Sequence, residues 1–164
     1  MRFAGSSTAS VRNEGTINAL GGDIFLFAHT VDNAGNVNAP VGTVGLGAGS
    51  EILLRQSGTE RLSILAGNVS APKTATGVNN AGAVQAASAE LKAAGGNMYA
   101  LAINNGGIVR ADTIVHEGGR ILLKASGGNI QNSGTLAANG SAGKGGSITI
   151  DGGHNATAPA TVTS

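Results

Sequence analysis

Four charged side chains, Glu90, Lys92, Lys124 and Asp151, could be gathered into acid–base machinery. They occupy the strand-like runs "AELKA", "ILLKA" and "ITIDG". If those runs are stacked equivalents, the four point outward on neighbouring levels, and paired carboxylates beside a cation are what glycosidic-bond cleavage requires. The competing and favoured reading is an exposed ion ladder that relieves repulsion between Lys92 and Lys124, each pair worth about 0–1 kcal/mol. No aromatic platform for a sugar ring accompanies them, because Tyr99 is the single Tyr and Trp is absent.

Other chemistry fails on spacing. His29, His116 and His154 are far apart and form no His-Glu-x-x-His pair, so turn or surface positions suit them better than a metal. "GSAGKGGS" places Gly145, not Ser or Thr, after Lys144, and so misses the phosphate-loop pattern. "GLGAGS" lacks the dinucleotide spacing, "DGGHNA" lacks the calcium-repeat spacing, and there is no nucleophile elbow. With no Cys, disulfides, thiolate metal sites and thiol catalysis are excluded. The sequence therefore predicts a non-enzymatic chain with no cofactor and no metal.

Ten basic and nine acidic residues among 164 leave a net charge of +1, which offers no footprint for nucleic acid or an anionic membrane. No apolar run approaches the ~18 residues of a spanning helix, so membrane insertion is not expected. Gly is abundant at 28 residues, yet 41% of the chain is hydrophobic, which separates it from disordered sequences.

The elements that position these residues come from an internal repeat. Val/Ile-x-Asn-x-Gly-x-Ile/Val/Leu-x-Ala recurs as "VRNEGTINA" from Val11, "VDNAGNVNA" from Val31, "VNNAGAVQA" from Val78, "INNGGIVRA" from Ile103 and "IQNSGTLAA" from Ile130. A shorter pattern, apolar-x-Leu/Ile-x-Ala, starts at Ile24, Val44, Leu62, Ala89 and Ile121, with a variant at Ile148. Its starts are 20, 18, 27, 32 and 27 residues apart. The long interval contains "MYALA" (Met98 to Ala102), read as an insertion that bulges from one face.

Within each run the period is two, which predicts strands. "AVQAASAELKAAGG" is a helical competitor, set aside because its equivalent "ILLKASGG" carries no helix signal. The expected fold is all-β, a right-handed parallel β-helix of about five to six coils of roughly 20–27 residues, stacked about 4.8 Å apart. Residues 1–10 form an N-terminal segment or cap, 11–153 the repeats, and 154–164 a tail or the start of a further coil. Ile52 and Leu54 are expected to supply the second strand of the coil that holds Leu62. Gly67 to Gly77 form the longest connector.

The repeated Asn13, Asn33, Asn80, Asn105 and Asn132 are expected to bond amide to amide from coil to coil. Gly15, Gly35, Gly82, Gly107 and Gly134 are expected in turn conformations closed to other residues. Phe25 and Phe27 fall on outward positions, either exposed for a partner or packed under the N-terminal segment with Phe3 to cap one end.

At these residues the chain resembles the exoproteins of bacterial two-partner secretion, the filamentous-haemagglutinin-like proteins. "VRNEGTINALGGDIFLFA", "AELKAAGGNMYALAINNGGIVRA" and "GGRILLKASGGNIQNSGTLAANGSAGKGGSITIDG" carry the likeness, which covers about Val11 to Gly153. The resemblance implies a stalk or adhesive segment of a large secreted or surface-held bacterial protein. An outer-membrane secretion partner, and host-cell or matrix glycans or proteins reached through the parent chain, come with it. "MRFAGSSTAS" has no apolar core of a signal peptide, so the segment is expected to belong to a longer precursor. The alternatives are a polysaccharide-acting β-helix enzyme using the four charged residues, and a scaffold that assembles end to end.

Overall fold

The computed structural model describes residues 1–65, 75–94, 99, 101–113, 118–126, 128–140, 145–152, 155–157 and 162–163. Among them every regular element is a strand. The first, β1 (Arg2–Ala4), stands apart from the repeat. A first tier then consists of β2 (Ser10–Asn13), β3 (Thr16–Asn18) and β4 (Ile24–Ala28). The second is β5 (Thr30–Asn33) with the long β6 (Asn36–Ala48), followed by a hairpin of β7 (Glu51–Leu54) and β8 (Leu62–Leu65). The third tier is β9 (Thr76–Asn80) and β10 (Ala83–Ala93); the fourth is β11 (Leu101–Asn105), β12 (Ile108–Thr113) and β13 (Arg120–Ala125). The fifth comprises β14 (Asn129–Asn132), β15 (Thr135–Gly140) and β16 (Ser147–Asp151), and β17 (Asn155–Thr157) and β18 (Val162–Thr163) continue the pattern.

Each nine-residue motif makes the same corner. Its Val/Ile-x-Asn half enters a six-stranded parallel sheet in the order β2-β5-β9-β11-β14-β17, and its second half enters a nine-stranded sheet. Pairing is in register, Val31 with Val78 and Ile103 with Ile130 in one sheet, Val37 with Val84 and Val109 with Leu136 in the other. Alternation sends the fixed apolar residues inward, where Val31, Val37, Leu46, Val78, Leu91, Ile103, Leu123 and Leu136 are all buried. Of the helical competitor, residues 83–96, the stretch 83–93 is strand β10, and Gly95 and Gly96 lie outside the described residues.

The run at Leu62 is not a tier. Val44, Gly45 and Leu46 of β6 pair directly with Ala89, Glu90 and Leu91 of β10, so the third tier follows the second across the intervening residues. Ile52 and Leu54 supply no coil strand either. β7 and β8 pair antiparallel, β1 joins the other side of β7, and this small sheet lies on the outward face of the stack. Leu62 and Ile64 pack over Gly47, and the Phe25 ring fills the space over Gly45 that a side chain there would need.

The corner glycines are required for a reason different from the expected one. Among the described residues a left-handed φ is found at Gly58 alone, 119°, between the two hairpin strands. A Cβ on Gly35, Gly82, Gly107 or Gly134 would instead collide with the carbonyl oxygen of the corner glycine one tier below. Gly107→Ala is therefore expected to lower unfolding free energy by about 1–3 kcal/mol by overpacking. Gly15→Ala, with nothing within 4 Å of its Cβ, leaves the urea midpoint unchanged.

Tyr99 lies in the stretch read as an inserted bulge; it is buried, and its hydroxyl donates to the His29 carbonyl at 2.5 Å. Burial pushes its phenol up to about 12 from the ordinary 10.0. The folded protein thus keeps a proton that the unfolded chain releases, so this contribution is intact below pH 10 and is lost as pH rises towards 12. Phenolate absorbance, specific because Tyr99 is the only Tyr, should titrate in the folded protein at the raised value, and Tyr99→Phe should remove that part of the alkaline instability. Met98, His116, Lys144 and His154 lie outside the described residues. Of the expected 67–77 connector, residues 67–74 also lie outside, while Thr76 and Gly77 belong to β9.

Candidate functional site

The four charged residues nominated for chemistry are distributed differently from an open active face. Glu90 and Lys92 lie two apart on β10 and Lys124 pairs in register with Lys92, so these three do come together. Asp151, the register partner of Lys124, is exposed at the end of β16 and joins no ion pair among the described residues. Glu90 and Lys92 are not on the surface. They are 0% and 3% exposed, because the β7–β8 hairpin closes over them.

The buried pair fastens that hairpin. One Glu90 oxygen accepts the Arg61 backbone N–H at 2.9 Å and the other the Leu62 N–H at 3.0 Å. The Lys92 ammonium donates to Glu60 Oε2 at 3.0 Å and to the Leu62 carbonyl, and lies 3.1 Å from Glu90 Oε2. Two hydrogen bonds and a close ion pair engage the ammonium, which is 3% exposed, so it is committed to the hairpin rather than presented to a substrate. Lys124, half-exposed, approaches Glu60 Oε1 at 4.0 Å. A cleft of about 250 Å³ beside them is lined by Glu60, Ser63, Lys92, Lys124 and Ser126.

A second tie holds the same hairpin. Arg61 Nη1 contacts Asp23 Oδ2 at 2.5 Å, and its guanidinium stands 5.2 Å over the Phe25 ring. Asp23 Oδ1 also accepts the Thr43 N–H at 2.8 Å. Phe25 and Phe27 do occupy outward positions, but both are half-buried, and Phe27 packs on Phe3 with ring centroids 4.6 Å apart. β1 thus covers the flank of the stack and not its end, where inward Val11, Ile17 and Leu26 stay half-buried.

Hydrogen bonding from Lys92 holds the Glu60 carboxyl below its ordinary range, outweighing burial, with the charges of Lys124 and Arg55 acting in the same direction. Burial raises Asp23, but the Thr43 N–H and Arg61 together outweigh it and lower the group. Depressed carboxylates contribute stability above their unfolded values and lose it as pH falls through the folded ones. Methyl resonances of Leu62 and Ile64 are therefore expected to shift together below about pH 4, as the hairpin ties weaken.

The repeated asparagines form a second constellation. Asn13 Nδ2 donates to Asn33 Oδ1 at 2.8 Å, Asn33 to Asn80 at 2.7 Å, Asn80 to Asn105 at 2.7 Å and Asn105 to Asn132 at 2.6 Å. All five side chains are buried; the first four donate in one direction, and Asn132 ends the ladder as an acceptor, its own Nδ2 without a partner among the described residues. A parallel outward ladder runs from Asn104 through Asn79 to Asp32 at 2.9 and 2.8 Å. Asp23, Glu60 and Arg61 were not among the expected site residues. Gly45 and Gly47, at outward positions otherwise held by larger side chains, were the signal that something must lie on top.

Compared with protein-family models, with curated proteins and with solved structures, the chain matches none.

Proposed function

We propose that the chain is a right-handed parallel β-helix serving as a structural or adhesive stalk segment of a large secreted or surface-exposed bacterial exoprotein of the filamentous-haemagglutinin-like kind. The observation that carries this reading is the unbroken register of five motif copies, tied by one buried asparagine ladder. Each tier contacts its neighbours, so a rod of such tiers extends by repetition and can fold progressively as it leaves a secretion pore. The role is mechanical: the stack holds binding regions away from the cell, with an outer-membrane partner for export and host glycans or proteins as targets of the parent chain.

The glycan-cleaving reading loses support where Glu90 and Lys92 bind each other and the hairpin backbone. End-to-end assembly is favoured by one observation. Val11 and Ile17 are half-buried, whereas Val31 and Val37, their equivalents one tier on, are sealed, so the first tier presents open edges and apolar surface.

An antibody to this segment, used to blot native cells and their medium, separates the readings. A band far above 15.9 kDa at the surface or in the medium is expected. A band near 15.9 kDa inside the cell would overturn the stalk and favour assembly.

A further inference from the structure

We propose that Asn139 is a site of spontaneous deamidation, and that the buried ladder shields its sequence twin, Asn105, from the same reaction. Two Asn-Gly pairs occur in the chain, Asn105-Gly106 and Asn139-Gly140. Glycine removes the Cβ that would hinder its own backbone nitrogen. That nitrogen can attack the asparagine Cγ: an N–Cγ bond forms, the Cγ–Nδ2 bond breaks, and ammonia leaves with the proton from the glycine nitrogen. Water then opens the succinimide to aspartate or isoaspartate.

The fold treats the two pairs oppositely. Asn105 is 0% exposed, its Nδ2 is held by Asn132 Oδ1 at 2.6 Å, and its Oδ1 accepts from Asn80 at 2.7 Å. The would-be nucleophile, the Gly106 nitrogen, donates to the Asn80 carbonyl at 2.9 Å. Asn139 is exposed, and its side chain is held by one bond, from Nδ2 to Asp112 Oδ1 at 2.9 Å. It sits one residue from the end of β15, which stops at Gly140, and strand ends open with little free energy.

The product changes a contact between tiers. Asp112 and Asn139 are register partners, so an acid at 139 replaces an amide-to-carboxylate bond with two facing carboxylates. Among the described residues, the cation that faces that carboxylate is Arg110, whose Nε lies 4.0 Å from Asp112 Oδ2. The conversion is a slow, irreversible loosening of the outer tie between the fourth and fifth tiers.

The test is peptide mapping by mass spectrometry after prolonged incubation of the whole chain at mildly alkaline pH, with and without urea. In the folded protein, conversion at Asn139 is expected to be roughly tenfold or more faster than at Asn105. In urea the two rates should approach each other, and Gly140→Ala should slow Asn139 in both. Equal rates in the folded protein would overturn the proposal. So would a folded protein in which Asn139 stays intact while urea converts both sites.

Discussion

Asn80→Ala is expected to destabilise the protein by about 2–6 kcal/mol, because it strands two buried partners at about 1–3 kcal/mol each. Asn80 is the middle rung of the internal ladder, wholly buried, accepting from Asn33 and donating to Asn105. Alanine leaves the Asn33 amide and the Asn105 carbonyl oxygen unpaired in a core that admits little water. Its neighbour supplies the control. Asn79 makes two bonds of the same kind to Asp32 and Asn104, at 2.8 and 2.9 Å, but on the outer face, where solvent can replace them. Asn79→Ala should cost less than about 1 kcal/mol. Urea denaturation of the two variants reads the difference directly, and equal losses would mean that the internal ladder is no more important than the external one.

Glu90→Ala is expected to cost about 3–5 kcal/mol, since removing one partner of a buried ion pair leaves the other uncompensated. The loss has three parts on this structure: the Lys92 ammonium keeps Glu60 but loses its fully buried countercharge, and the Arg61 and Leu62 N–H groups lose their acceptor. Replacing both ions, Glu90→Leu with Lys92→Met, should recover much of the loss, as the apolar pair needs no compensation. The Arg61 and Leu62 N–H groups and the Leu62 carbonyl, all left without their partners, keep the recovery incomplete. Hydrogen exchange at Leu62 and Ile64 should rise in Glu90→Ala more than at Ile103 or Val109, which lie away from the hairpin. A uniform rise would show that the pair stabilises the stack as a whole and not the hairpin.

The corner motif was legible in the sequence because every one of its fixed residues has one physical task that repeats at a fixed spacing. The apolar positions face inward, the asparagine bonds along the stack, and the glycine allows backbone to approach backbone. The hairpin was not legible because "LSILA" satisfies the same alternating pattern as a true tier strand. Periodicity specifies a strand and its two faces, but not which sheet it joins. Counted as a tier, the Leu62 run would set Ser63 between Gly45 and Glu90, which are in fact direct register partners. That misplacement also left Glu90 and Lys92 assigned to a solvent-facing column, since the element that buries them had been counted as part of the stack. The side chains that grip this pair, Glu60 and Arg61, stand beside the Leu62 run and become meaningful only when that run is folded over the face.

Because the native chain has no Cys, engineered cysteines report register without interference. The most direct test joins Asn38→Cys with Gln85→Cys, register partners on β6 and β10 that are 47 residues apart in sequence. If the third tier follows the second directly, the two Cα atoms are about 4.8 Å apart and a disulfide forms readily on mild oxidation. If the Leu62 run formed a tier between them, the separation would be roughly twice that, beyond what a disulfide can span, and the protein would stay reduced.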